Sequence, residues 1–253
     1  MKPPVRSFLV YAVAVATTLA GGPGETAPPK KLLIVSVTKG FRHDSIPTAE
    51  RVLEQIGKGG GAFAVDYART DADLAAKMTP AALAAYDGVV FASTTGDLPL
   101  PDRQGFLDWI ASGKAFVGVH AATDTFPSFP PYIEMIGGQF LKHGAQVKVD
   151  LLVQDPDHPA TRGMASPTPV FDEIYQMKNF DKAKTHTLLA LDKHPNEGTP
   201  GFYPLAWSRE HGKGRVFYTA LGHREDVLEA DWYKKHLMGG ILWSLGTTGT
   251  PSK

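Results

Sequence analysis

The chain has 253 residues, 43% of them hydrophobic, with 26 basic and 26 acidic side chains and no cysteine. That is enough apolar material for one substantial core, and the lack of thiols excludes a disulfide framework, a cysteine nucleophile and cysteine-held metals. The balanced charge, with no basic block or stripe, argues against a nucleic-acid partner and gives no pull toward an anionic membrane surface.

Lys2 and Arg6 precede an apolar run from Phe8 to Ala20, and small residues and prolines follow from Gly21 to Pro29. A charged start, a short apolar stretch and a small-residue exit read as a secretory signal peptide over residues 1–27, cleaved between Ala20 and Ala27. The run is too short for a stable membrane span, and no cysteine follows it to carry a lipid. A periplasmic or secreted protein is the expectation, with an uncleaved N-terminal anchor as the competing reading.

From Lys31 the pattern alternates between short β-branched runs and helical stretches. Lys31–Val37 reads as a buried strand, Thr38–Ser45 as a loop, and Pro47–Ile56 as a helix ended by Gly57. A turn over Gly59–Gly61 leads to a strand over Ala62–Arg69. Thr79–Tyr86 reads as a short helix opened by Thr79-Pro80. Strands over Gly88–Ser93 and Ala115–His120 flank a helix over Pro101–Ser112. Near-continuous apolar strands separated by helices imply a mostly parallel sheet with helices on both faces. The second half is less regular, with strands over Gln146–Gln154 and Leu188–Leu191. An antiparallel hairpin is expected over Pro204–Ser208 and Arg215–Ala220 around a Glu210–Gly214 turn. A helix over Ala230–Leu245 and a polar tail over 247–253 close the chain. One α/β domain over 31–246 is the economical organisation.

Ligands of open parallel sheets bind at the carboxyl ends of the strands, so the residues that follow each strand carry the functional reading. Lys39-Gly40-Phe41-Arg42-His43-Asp44-Ser45 follows the first strand; it is a site loop or a solvated loop with helix caps. Gly118-Val119-His120-Ala121-Ala122 has the shape of a nucleophile elbow, with histidine where a nucleophile would sit. Histidine there can ligate a metal or move a proton; the plain alternative is a core histidine bonded to backbone. His143 lies in a glycine-rich loop, Gly137–Gly144, which either approaches a ligand or is simply exposed. Of the adjacent pair Asp172-Glu173, in an edge or loop segment, Glu173 is the one expected to reach the site. His223 follows the strand ending at Ala220, behind Gly222. His158, His186, His194, His211 and His236 read as surface or packing residues. Neutral imidazoles with a carboxylate suit zinc, manganese or iron. The candidate metal ligands are His120, His143 and His223, and the candidate catalytic residues are His120, His223 and Glu173. His43, Arg42, Lys39, Asp124 and Phe126 are expected to contact substrate, and Phe41, Phe129 and Tyr132 join Phe126 as apolar surface for a sugar ring.

Gly40-Phe41-Arg42-His43, Gly118 to Asp124, Gly137-Gly138-Gln139-Phe140 with His143, Gly222-His223, Trp232 and Gly240-Ile241-Leu242-Trp243 together resemble the ThuA-like, or trehalose-utilisation, family. The likeness runs from about Lys31 to Leu245. It implies a flavodoxin-like, class I glutamine-amidotransferase-like sheet and a role in carbohydrate use, for the named relatives with oxidised disaccharides such as 3-keto-trehalose. Glutamine amidotransferases carry cysteine at the elbow; His120 in its place removes glutaminase chemistry. Two functions remain. One is an enzyme moving a proton beside the ketone of an oxidised sugar, leading to elimination, hydration or isomerisation. The other is a non-catalytic carbohydrate-binding protein using exposed aromatics between Phe126 and Tyr132. A small carbohydrate is the expected partner in both.

Overall fold

The computed structural model describes Met1 and residues 29–248. The signal-peptide segment and most of the polar tail lie outside the described residues. In chain order the elements are β1 (Lys30–Val35), α1 (Ile46–Gly60), β2 (Phe63–Ala68), α2 (Asp71–Lys77), α3 (Pro80–Leu83), β3 (Gly88–Ala92), α4 (Arg103–Ala111) and β4 (Ala115–Val119). A 3₁₀ turn (His120–Asp124), α5 (Pro130–Ile136), β5 (Gln139–His143), β6 (Val147–Val153), β7 (Thr168–Asp172) and β8 (Tyr175–Lys178) follow. The chain then forms β9 (His186–Lys193), β10 (Pro200–His211), β11 (Gly214–Thr219), α6 (Glu225–Glu229) and α7 (Asp231–Ser244).

Nine strands form one sheet in the order β2-β1-β3-β4-β11-β10-β9-β6-β7. The first five in that order run parallel, and β10, β9, β6 and β7 extend the sheet by antiparallel pairing. The expected β10–β11 hairpin is present, with Trp207 opposite Tyr218. Strands β3 and β4 are buried along their whole length. Without a polar face, such segments persist only with helices on both sides. Phe217 meets Gly240 of α7, while its neighbour Tyr218 meets Gly118 beside Ile136 of α5. Successive strand residues point to opposite faces, so α7 and α5 cover the two sides of β11. The 2-1-3-4 order is that of flavodoxin-like sheets, and the carboxyl ends of β1, β3, β4 and β11 share one edge.

Several local expectations change. Helix α1 continues through Gly57 and stops at Gly61, which takes φ +60°. Gly57 lies inside the helix, where the Phe63 ring packs so close that a Cβ would sit 2.5 Å from it. Helix α2 is additional; Thr70 and Asp73 form its capping box. The glycine-rich segment expected as a loop contains strand β5, paired with β8 in a separate two-stranded ribbon. The stretch expected to expose aromatics contains helix α5, which starts on two prolines.

Among the described residues no helix is long and apolar enough to cross a membrane. The core includes fully buried Trp207, Tyr132, Tyr218, Tyr233, Phe91 and Phe217. His236, also fully buried, sits against Phe217 and bonds through Nδ1 to the Ala160 carbonyl. Burial pushes its pKa down from 6.5 to about 4, and burial does the same to His158 two residues before that carbonyl. The folded state therefore keeps His236 neutral where the unfolded chain would protonate it. Stability from this group is complete above pH 6.5 and is lost as pH falls toward about 4. Each pKa unit is worth about 1.4 kcal/mol, so the loss attributable to His236 approaches roughly 3 kcal/mol. Urea midpoints measured from pH 7.5 to 4 are expected to fall steeply in the wild type and less steeply in His236→Asn. Equal slopes would refute the assignment.

Candidate metal and proton-transfer site

Strand β4 ends against a tight turn, and His120 takes it at φ +48°. A non-glycine residue there is strained and must be held by its surroundings. Gly118 makes room: a Cβ on it would lie 2.9 Å from Tyr218 and 3.1 Å from Ala122. The buried Tyr218 hydroxyl donates to the His120 carbonyl at 2.7 Å and contacts the Thr123 hydroxyl at 3.0 Å. The elbow shape read from the sequence is therefore real, although it opens a 3₁₀ turn.

The His120 ring is fully buried, and its Nδ1 lies 2.8 Å from the Ala220 carbonyl. A carbonyl oxygen only accepts, so Nδ1 carries the hydrogen and Nε2 keeps its lone pair. Metal-ligating histidines are commonly oriented by such a bond. His120 Nε2 lies 3.3 Å from His223 Nδ1 and 3.6 Å from Glu173 Oε1, and His223 Nδ1 lies 3.3 Å from the same oxygen. His43 completes the group, its ring centroid 4.7 Å from that of His120 and 5.3 Å from that of His223. One ligand atom from each of His43, His120, Glu173 and His223 falls within 4.8 Å of all the others.

The donor set fits a metal. Tetrahedral ligands about 2.0–2.2 Å from one centre lie about 3.3–3.6 Å apart, the separations measured among His120, His223 and Glu173. His43 Nδ1 is buried without a hydrogen-bond partner. Burial and the neighbouring His120 and His223 push His43 down to about 3, so its ring is neutral and able to ligate. Burial would raise the Glu173 carboxyl, but His120 and His223 outweigh it and hold the group well below the usual carboxylate range. In return Glu173 raises the pKa of His223.

His143, expected as a ligand, lies outside this four-residue group. It ends β5 and is 43% exposed, with Nδ1 3.0 Å from Glu173 Oε2 and 2.9 Å from the Gly144 carbonyl. Both neighbours accept, so Nδ1 carries the hydrogen and Nε2 holds a free lone pair. His43, expected to contact substrate, lies within the four-residue group that could hold a metal. The ribbon geometry explains the exchange: β5 lies off the main sheet edge, whereas the loop after β1 lies on it.

The other candidates divide. Phe41 is 67% exposed, and its ring sits edge-on to His43 at 4.8 Å. Arg42 is exposed at the same loop but donates to the Ser36 carbonyl. Lys39 is ion-paired with Asp71. Half-buried Asp124 ends the 3₁₀ turn, and burial raises its carboxyl. Phe126 is a correction: it is 1% exposed, packed on Tyr132 at 5.1 Å, and does not face solvent. Tyr132, within α5, is likewise buried, and Phe129, just before that helix, is partly buried. Two contributors escaped sequence reading. Tyr218 braces the elbow, and Asp172 binds the segment around His223. No alternation in the sequence marked Asp172, because the outward residues of β7, Pro169 and Phe171, are as apolar as inward Thr168 and Val170. His211, at the end of antiparallel β10, faces the opposite sheet edge.

The sheet is shared with solved structures. A ThuA-like protein from Parabacteroides merdae superposes with a TM-score of 0.72 at 20% identity, covering 89% of this chain and 93% of that one. A ThuA-like protein from Bacteroides uniformis gives 0.67 at 20% identity, covering 88% and 95%. A cytoplasmic protein from Salmonella typhimurium gives 0.60 at 15% identity, covering 85% and 99%. These likenesses establish the fold. No curated protein sequence matches the chain. The family model described as "ThuA: Trehalose utilisation" matches residues 31–244, nearly all of the sheet and the whole histidine cluster, and the chain belongs to that carbohydrate-utilisation family.

Proposed function

We propose that this chain is an exported enzyme acting on an oxidised sugar, a 3-keto glycoside, by proton transfer beside the ketone. The observation that carries the proposal is the convergence of His43, His120, His223 and Glu173 from four separate segments. These four residues would hold a divalent zinc, manganese or iron ion, which, bound with one further coordination position open to substrate, would supply Lewis-acid stabilisation of a developing enolate oxygen. The remaining chemistry belongs to side chains. Glu173 Oε2 and the Gly144 carbonyl hold the Nδ1–H of His143, which fixes its tautomer and leaves Nε2 as the base. The ketone at C3 acidifies the C2 hydrogen, and His143 takes that proton. The C1–O bond breaks as the C1–C2 double bond forms, and the protonated His143 returns its proton to the departing oxygen. Addition of water to the new double bond completes hydrolysis. Exposed Phe41 offers a flat apolar surface beside the cluster for the sugar ring.

The binding-protein alternative called for exposed aromatics between Phe126 and Tyr132; Phe126 and Tyr132 are buried and Phe129 is partly buried, which favours the enzyme reading. The test uses purified protein with 3-keto-trehalose. About one equivalent of transition metal is expected by elemental analysis, with product formation that stops on chelation and returns with metal. His143→Ala is expected to keep the metal and lose about 10²–10⁴-fold in turnover, the usual contribution of a general base. Tight sugar binding with no product, unaffected by chelator, would overturn the enzyme reading. Export is supported by the charged and apolar N-terminal pattern; N-terminal sequencing of protein from the periplasm or medium should find cleavage between Ala20 and Ala27.

A further inference from the structure

Asp172 ends β7, an edge strand, and is fully buried. The inward positions before it, Thr168 and Val170, hold small side chains that suit a core. A carboxyl group in that row costs several kcal/mol of desolvation unless its oxygens are well satisfied. Here backbone N–H groups satisfy them. Oδ1 accepts from Glu173 at 3.0 Å and from Arg224 at 3.1 Å, and Oδ2 accepts from Gly222 at 2.8 Å. One carboxyl group thus grips both residues flanking His223 and the backbone of Glu173, which must meet His223 across 3.3 Å. Gly222 follows a demanding path at φ +106°, where a Cβ would lie 2.9 Å from the Tyr233 hydroxyl. Glycine adopts that φ freely and many others besides, so the bonds to Asp172 are what confine the turn to one shape.

We propose that Asp172 is a positioning residue that sets the separation and orientation of His223 and Glu173 through their backbone, and so tunes the affinity of the cluster for its metal. The proposal rests on the metal reading above. Asparagine is nearly isosteric, so Asp172→Asn conserves packing. It replaces one acceptor oxygen by an NH₂ that must face an N–H donor, whichever way the amide turns. A gripped backbone becomes a repelled one on at least one side.

Titration of the metal-free protein with cobalt(II), followed by its visible absorption, reads the effect directly. Asp172→Asn is expected to bind cobalt 10–100-fold more weakly than wild type, the range typical of residues that orient metal ligands, with altered band intensities. Val170→Ala, on the same strand, is the packing control and should stay within about threefold of wild type, with melting temperatures measured for both. Unchanged cobalt affinity in Asp172→Asn overturns the proposal, and so does an equal loss in Val170→Ala. If wild type binds no cobalt, the metal reading itself fails. Positioning is then judged on ring-nitrogen NMR of His223 in the metal-free protein, where Asp172→Asn should move the resonances toward those of a free imidazole and unchanged resonances overturn the proposal. If Asp172→Asn does not fold, Asp172→Ser, which removes both carboxylate oxygens and introduces no misplaced NH₂, takes its place with the same expectations.

Discussion

Replacing His120 by alanine is expected to abolish stoichiometric metal and turnover together, by more than the roughly 10–100-fold that changes outside the ligand shell cost. Two effects coincide in that variant. The imidazole is lost, and alanine must occupy φ +48°, a region histidine tolerates better. His120→Asn separates them, because asparagine tolerates the left-handed region far better than most residues. If the lost ligand is what matters, both variants lose metal, and Asn melts at the higher temperature. Retained metal and full activity in His120→Ala would remove the cluster from any functional account.

A large structural effect is expected at Gly239, in the interior of α7. Exchanging glycine for alanine in a helix ordinarily gains about 1 kcal/mol. Here a Cβ would lie 2.1 Å from the Pro159 carbonyl oxygen and 2.8 Å from the Ala160 Cα, both backbone atoms that no rotamer change can move aside. Overpacking of that kind costs about 1–3 kcal/mol, occasionally more, and against rigid backbone it exceeds the propensity gain. Gly239→Ala is therefore expected to lose about 2 kcal/mol net, a fall in Tm of roughly 4–8 °C for a chain of this size. Gly59, in α1, has nothing within 4 Å of its Cβ position, so Gly59→Ala should be neutral or mildly stabilising. A thermal melt in which Gly239→Ala matches wild type would show that the Pro159–Ala160 segment yields easily.

The parallel half of the sheet was legible because its strands carry their own signal. Runs such as Leu32–Val35 and Val89–Ala92 are short, continuously apolar and partly β-branched, the mark of doubly covered strands. That reading located the strand ends, and with them His43, His120 and His223. The antiparallel half is less apolar and its pairing joins distant segments, so β5, β7 and β8 left weaker traces. The aromatics near Phe126 misled for a related reason. Composition says that a ring is present, and only the path of α5 says which way it faces.

Local patterning thus determined by itself the parallel strands, the elbow at His120 and the residues able to ligate or carry a proton, because these depend on neighbours a few positions away. Tertiary structure alone decided that His43 and not His143 joins His120, His223 and Glu173, that Phe126 is core, and that Asp172 holds the loop bearing His223. Those outcomes depend on how segments from opposite ends of the chain meet at one sheet edge. A separation such as the 3.3 Å between His223 and Glu173 is set by the packing of the whole sheet, and no stretch of sequence contains it.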